Sequence, residues 1–112
     1  MEVLVSSEQG APVVALSGDI DGSTAPVAQA KILEQLVPGV GVILDMGGVA
    51  YMSSAGLRML LSAHRAAAAQ GGSVHLVGLS EDLQDTMAAT GFLEFFRTHP
   101  SVAAALTALG KG

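Results

Sequence analysis

Three aspartates, a pair of adjacent serines and three histidines are the side chains through which this 112-residue chain could do chemistry. Asp45 closes the apolar run Val40–Asp45, and Asp19 and Asp21 sit in Ser17-Gly18-Asp19-Ile20-Asp21. Acids at strand ends suit a phosphoacceptor aspartate whose neighbours hold a divalent cation. That chemistry also needs a fixed cation for the phosphoryl oxygens, yet no Lys occurs between Lys31 and Lys111. The better reading has Asp45 bonded to loop amides. Ser53 and Ser54 could serve as nucleophiles, but the elbow of a serine hydrolase needs a glycine two residues before the serine. Tyr51 and Met52 occupy those places. His64, His75 and His99 show no spacing that pairs two ligands on one helix face, and structural roles are expected for all three. Gly39-Val40-Gly41 precedes a strand instead of following one, and Gly110-Lys111-Gly112 has neither strand before nor helix after. No catalytic residue, metal ligand or cofactor is therefore expected.

Half the residues are hydrophobic and 13% are charged, against ~25% in an ordinary soluble domain. Disorder is excluded, and the chain is long enough to bury a core unaided. Aromatic residues make up only 4%, so Val, Leu and Ala must fill that core. No Cys is present, which removes disulfides, thiolate zinc sites and cysteine nucleophiles. The net charge is −5, with Lys31, Arg58, Arg65, Arg97 and Lys111 as the only bases. So few scattered cations argue against nucleic acid and against an anionic membrane surface. Val40–Met52 is interrupted by Asp45, Gly47 and Gly48, too soon for a membrane span. MEVLVSS lacks the basic start of a signal peptide. A cytoplasmic protein with one domain over residues 1–112 is expected.

Positioning those side chains requires alternating strands and helices. Val3–Val5 and Val13–Leu16 read as a hairpin about Glu8–Ala11. A first helix starts near Pro26, capped by Ser23 or Thr24, and runs to about Val37 with Val27, Ile32, Leu33 and Leu36 inward. Val40–Asp45 reads as a strand covered on both faces. The second helix, about Ser54–Gln70, carries Leu57, Leu60, Leu61 and His64 on one stripe and stops at Gly71-Gly72. Val74–Val77 is a strand, and Ser80-Glu81-Asp82 opens a third helix that ends at Gly91. Phe92–Arg97 is expected as a short edge strand, and Pro100 opens a last helix ending at Gly110. This order predicts an α/β domain with a mixed, mostly parallel sheet of four to five strands and about four helices, its first strand antiparallel at one edge.

The stretch Val42-Ile43-Leu44-Asp45-Met46-Gly47-Gly48-Val49-Ala50-Tyr51-Met52-Ser53-Ser54-Ala55-Gly56-Leu57-Arg58-Met59-Leu60-Leu61 resembles the signature of the STAS domain family. That family includes bacterial anti-sigma factor antagonists and cytosolic tails of sulfate transporters. Its pattern is an apolar strand ending in Asp, a short loop with an aromatic, then Asp-Ser-Ser/Thr-Gly-Leu opening a helix. Gly18-Asp19-Ile20-Asp21 is similar to the block before its first helix, and Thr90-Gly91-Phe92-Leu93-Glu94-Phe95-Phe96 to a later one. Together the three blocks span nearly the whole chain. The resemblance implies a STAS-like fold and a binding switch, not an enzyme. In the antagonists, an anti-sigma factor that is also a serine kinase binds the dephosphorylated domain and releases its sigma factor. It then phosphorylates the serine after the motif Asp, and a matching phosphatase reverses the mark. Carried over, the phosphorylated residue is Ser54, with Ser53 as the second candidate. Two positions depart from the pattern: Ser53 replaces the motif Asp, and Ala55 the following Ser/Thr. The implied partner surface comprises Asp21, Met52, Ser53, Ser54, Gly56, Leu57 and Arg58. Met46, Val49, Tyr51, Met52 and Met59 could form an adaptable apolar patch around it.

The residues leave other roles open. Ser54 and Asp21 could simply cap helices. The alternative function is a non-phosphorylated scaffold subunit of a transporter or signalling complex, which the missing motif Asp favours. Nucleotide sensing lacks a phosphate loop and basic residues. Oligomeric state is not legible.

Overall fold

The computed structural model describes residues 1–110; Lys111 and Gly112 of the terminal Gly-Lys-Gly lie outside the described residues. β1 (Glu2–Glu8) and β2 (Ala11–Ser17) form the expected hairpin, with Val3 opposite Leu16 and Val5 opposite Val14. Gln9 and Gly10, at φ 51° and 83°, make its two-residue turn. Positive φ at both positions matches the twist of the flanking strands, so pairing continues to the turn and β1 exceeds the expected Val3–Val5.

After the hairpin come α1 (Ala25–Glu34), β3 (Val42–Gly48), α2 (Ser54–Ala69), β4 (Val74–Val77), α3 (Glu81–Ala89), β5 (Arg97–His99) and α4 (Val102–Ala108). The sheet order is β1-β2-β3-β4-β5, parallel throughout except for β1. Three successive strand–helix–strand crossovers of one hand put α1, α2 and α3 on the same face. Their Ala28, Ile32, Leu60, Ala63, Leu83 and Met87 join Val14, Leu44 and Leu76 in the main core. α4 follows the last strand and covers the other face, where Ala105 and Leu106 meet Ala11, Val13, Ile43 and Val77. β3 is therefore sandwiched, and Val42, Ile43 and Leu44 are all fully buried. That is why its sequence reads as one apolar run.

Expectations for three elements need correction; α4, for one, begins at Val102 behind its Ser101 cap and not at Pro100. α1 stops at Glu34, short of Val37, because the Gln35 and Leu36 amides tighten onto Ile32 and Leu33, a 3₁₀-like closing turn. Its buried stripe is Ala25, Ala28 and Ile32, whereas Val27 and Leu33 are exposed. Ala25, Ala28 and Ile32 recur at helical spacing on the face turned to the core, and Val27 and Leu33 lie off that face. Phe92–Phe95 is a 3₁₀ turn, not a strand: Gly91 at φ 78° reverses the chain after α3, and the edge strand starts only at Arg97. None of the helices among the described residues is long and apolar enough to cross a membrane.

Candidate functional site

The loops leaving β2 and β3 are stitched to each other, and this builds the site. The Ile20 amide donates to the Tyr51 carbonyl at 3.0 Å and the Ser53 amide to the Ile20 carbonyl at 2.8 Å, a single parallel bridge beyond the sheet proper. Ile20 is fully buried, as are Met46 and, nearly so, Val49 and Met52. Together they anchor both loops in the core. Asp45 accepts the Gly47 amide at 3.0 Å within the last residues of β3, where the register with β2 shifts, so its partner is a strand amide and not the loop amide expected.

α2 begins on this bridge. Ser53 is its N-cap, with Oγ accepting the Ala55 amide at 3.2 Å. A side chain on Gly56 would strike Met52 and come within 2.9 Å of Ile20 Cγ2, so a glycine is what lets the first turn rest there. Ser54 is the first helical residue and is exposed. The capping role considered for Ser54 thus belongs to Ser53, and the Ser54 hydroxyl faces outward at the positive end of the helix dipole.

Asp21 occupies the neighbouring loop. Its carboxylate accepts the Ser23 hydroxyl at 2.7 Å, the Ser23 amide at 2.9 Å and the Thr24 amide at 3.2 Å. In return the Asp21 amide donates to Thr24 Oγ1 at 2.9 Å. These bonds, the Ser23 hydroxyl foremost, hold the Asp21 carboxyl below its usual range. Thr24 is the N-cap of α1 without a side-chain cap of its own, so Asp21 organises the turn expected of Ser23 or Thr24. It is half-buried and shares the rim with Ser53 and Ser54.

Burial divides the implied partner surface. Met52 is 6% and Leu57 8% exposed, and Gly56 is buried, so these three pack mainly against the core. Met46, Val49 and Met59 are likewise internal; of the apolar patch only Tyr51, 55% exposed, remains outside. The loops bury these side chains because they are the hydrophobic pins that close the strand ends. Asp21, Tyr51, Ser53, Ser54 and Arg58 are what the surface retains. Beside them a shallow groove of about 340 Å³ runs between Gly22, Pro26 and Gln29 on the α1 side and Ala55, Arg58 and Ser62 of α2. A larger hollow of about 410 Å³ lies elsewhere, among Leu79, Gln84, Thr98 and Pro100.

A second polar cluster sits under α4, and no sequence spacing announced it. His75, 2% exposed, places Nε2 2.8 Å from Ser73 Oγ and Nδ1 3.0 Å from His99 Nε2. The chain of contacts has the order of a nucleophile, base and orienting group. Burial, then His99 and Arg97, push the His75 pKa down to about 4, which makes it a poor base at neutral pH. His64 packs its ring against Phe95 and Phe96 at 5.6 and 5.7 Å. Among the described residues no three His, Asp or Glu side chains gather as a metal site.

The family model for the STAS domain matches residues 2–105. The anti-sigma-B factor antagonist of Bacillus subtilis is 34% identical over 70 residues, 62% of this chain and 64% of that protein. A crystal structure of an anti-sigma factor antagonist from Mycobacterium paratuberculosis superposes with a TM-score of 0.84 at 27% identity, covering 97% of this chain and 93% of that one. At 18% identity the fold is also shared with the antagonist SpoIIAA, whose structures in unphosphorylated and phosphorylated form give TM-scores of 0.78 and 0.70. They cover 97% and 96% of this chain, and 97% and 98% of theirs.

Proposed function

Because this chain belongs to the STAS domain family, we propose that residues 1–112 act as one domain with the role of an anti-sigma factor antagonist, switched by phosphorylation of Ser54. In the dephosphorylated form the rim of Asp21, Tyr51, Ser53, Ser54 and Arg58 docks an anti-sigma factor that is also a serine kinase. The Ser54 hydroxyl attacks the γ-phosphorus of the kinase's ATP, the bond to ADP breaks, and the serine proton passes to a base on the kinase. A phosphatase hydrolyses the phosphate and restores docking.

One observation carries this reading: Ser54 is exposed at the first position of α2 while Ser53 holds the cap. The hydroxyl is thus accessible and its modification disturbs no structural bond. In the free domain a phosphate there is stabilised by ~0.3–2 kcal/mol, since helix starts present unpaired amides and a positive dipole end. Inside a docked interface the same dianion must be desolvated, at ~3–5 kcal/mol if uncompensated. Both effects favour the undocked form, so phosphorylation loosens the complex by ~100-fold or more.

The test uses the partner kinase with the wild-type chain and two variants. With ATP, mass spectrometry should place one phosphate on Ser54. Ser54→Ala should keep the partner and Ser54→Asp should bind it far more weakly. Equal binding by Ser54→Asp would remove the switch and leave a constitutive scaffold as the function.

A further inference from the structure

Arg58 lies one turn along α2 from Ser54, and both residues are exposed. Residues four apart on a helix stand on the same face with ~5–6 Å between their Cβ atoms. Helical side chains lean toward the N-terminus, so a long side chain at the later position covers the turn that holds the earlier one. No acidic residue occurs in the first turn of α2. The other helical neighbours of Arg58, Ala55, Leu61 and Ser62, are uncharged as well. Nothing on its own helix therefore competes for the guanidinium. Around it, Gly22, Pro26, Gln29 and Ser62 line the groove with uncharged groups.

Ser53 is the second half of the arrangement. A carboxylate immediately before Ser54 would repel a phosphate and offer Arg58 a different partner. Ser53 is neutral, and its hydroxyl is engaged with the Ala55 amide. The α2 turn that holds Ser54 thus has one cation, no acid and the start of a helix, and the Asp21 carboxylate elsewhere on the rim is already engaged by Ser23 and Thr24.

We propose that Arg58 is a receptor in cis for the Ser54 phosphate, closing over the modified residue as a charge-assisted, two-pronged contact along the face of α2. The inference rests on Ser54 being the modified residue. It adds that the mark has two consequences: a dianion appears on the docking rim, and Arg58 turns from the groove between α1 and α2 onto that dianion. A guanidinium matches phosphate oxygens in pairs, which an ammonium cannot do. Arg58 is accordingly a positioning residue for the phosphate, and it is withdrawn from any partner when the mark is present.

Phosphoserine incorporated at position 54 during translation makes the test independent of any kinase. The second ionisation of the phosphate is followed by phosphorus NMR in otherwise wild-type protein and in Arg58→Gln, Arg58→Lys and Arg65→Gln. Arg58→Gln should lower the acid dissociation constant about two- to fivefold, the range expected of a helical ion pair with a phosphate. Arg58→Lys should fall between, keeping charge without the fork. Arg65→Gln, which removes an equal charge from an exposed site further along α2, should change it little. Equal constants in wild type and Arg58→Gln overturn the clamp. So does an equal effect from Arg65→Gln, since net charge alone would then explain it. Failure of the kinase to modify Ser54 would instead refute the switch and leave this titration standing.

Discussion

Acidification from pH 7 to pH 5 should destabilise this protein through one buried imidazole. His75 is 2% exposed in β4, bonded to Ser73 Oγ and to His99 Nε2, with the two rings stacked 5.2 Å apart. The facing side of α4, residues 102–109, carries no titratable side chain, and Ile43 stands beside His75 on β3. The charged and titratable neighbours are His99 and Arg97 of β5. Burial, then His99, then Arg97 oppose a proton on His75 and push its pKa down to about 4, from 6.5 for a free histidine. Between those values the unfolded chain binds a proton that the native state refuses. The stability is complete above pH 6.5 and is lost as pH falls toward 4. At ~1.4 kcal/mol per pH unit, the loss is about 2 kcal/mol between pH 7 and 5 and about 3 kcal/mol in full. That is a large share of the ~5–15 kcal/mol typical of a domain. Urea unfolding at both pH values, for wild type and His75→Gln, measures it. Gln cannot titrate yet keeps a polar group toward Ser73, so the variant should lose about 2 kcal/mol less than wild type over this interval. A His75 ring that titrates near 6.5 by NMR, or equal losses in both proteins, would refute the reasoning.

Other outcomes follow from the first turn of α2. Gly56→Ala forces a methyl against Met52 and Ile20 and should lower stability by ~1–3 kcal/mol in urea unfolding, the usual cost of overpacking. Ser53→Ala removes the cap and should cost ~0.5–2 kcal/mol, whereas Ser54→Ala should stay within ~0.5 kcal/mol of wild type in the same assay.

The element order, the antiparallel first strand, the sandwiched β3 and the starts of α2 and α3 are legible in one dimension. Their signals are local: hydrophobic period, turn residues, a Ser at the helix start. Ser80 indeed accepts the Leu83 amide, whereas α4 begins at Val102 behind a Ser101 cap and not at Pro100. Ser54 as a phosphorylation candidate came from the resemblance to the STAS signature, since the residues alone suit a helix cap equally well. What could not be read is which hydroxyl caps and which is free, because that depends on how the Ser53 amide is held by Ile20, over thirty residues earlier. Apolar residues near a binding motif look like a sticky surface, but Met52, Leu57 and Met59 pack inward once the β2 and β3 loops are bridged. α1 shows the same limit: Val27 and Leu33 promised an inward face, but the stripe that meets the core is Ala25, Ala28 and Ile32, set by how the helix packs on α2 and β2. The pairing of His75 with His99 joins positions 24 apart and exists only because β5 lies beside β4. Periodicity and turn chemistry act between neighbours along the chain and so are written in it. Which side chain is buried, bonded or left open to a partner is decided by contacts between distant segments, and only the folded molecule makes those.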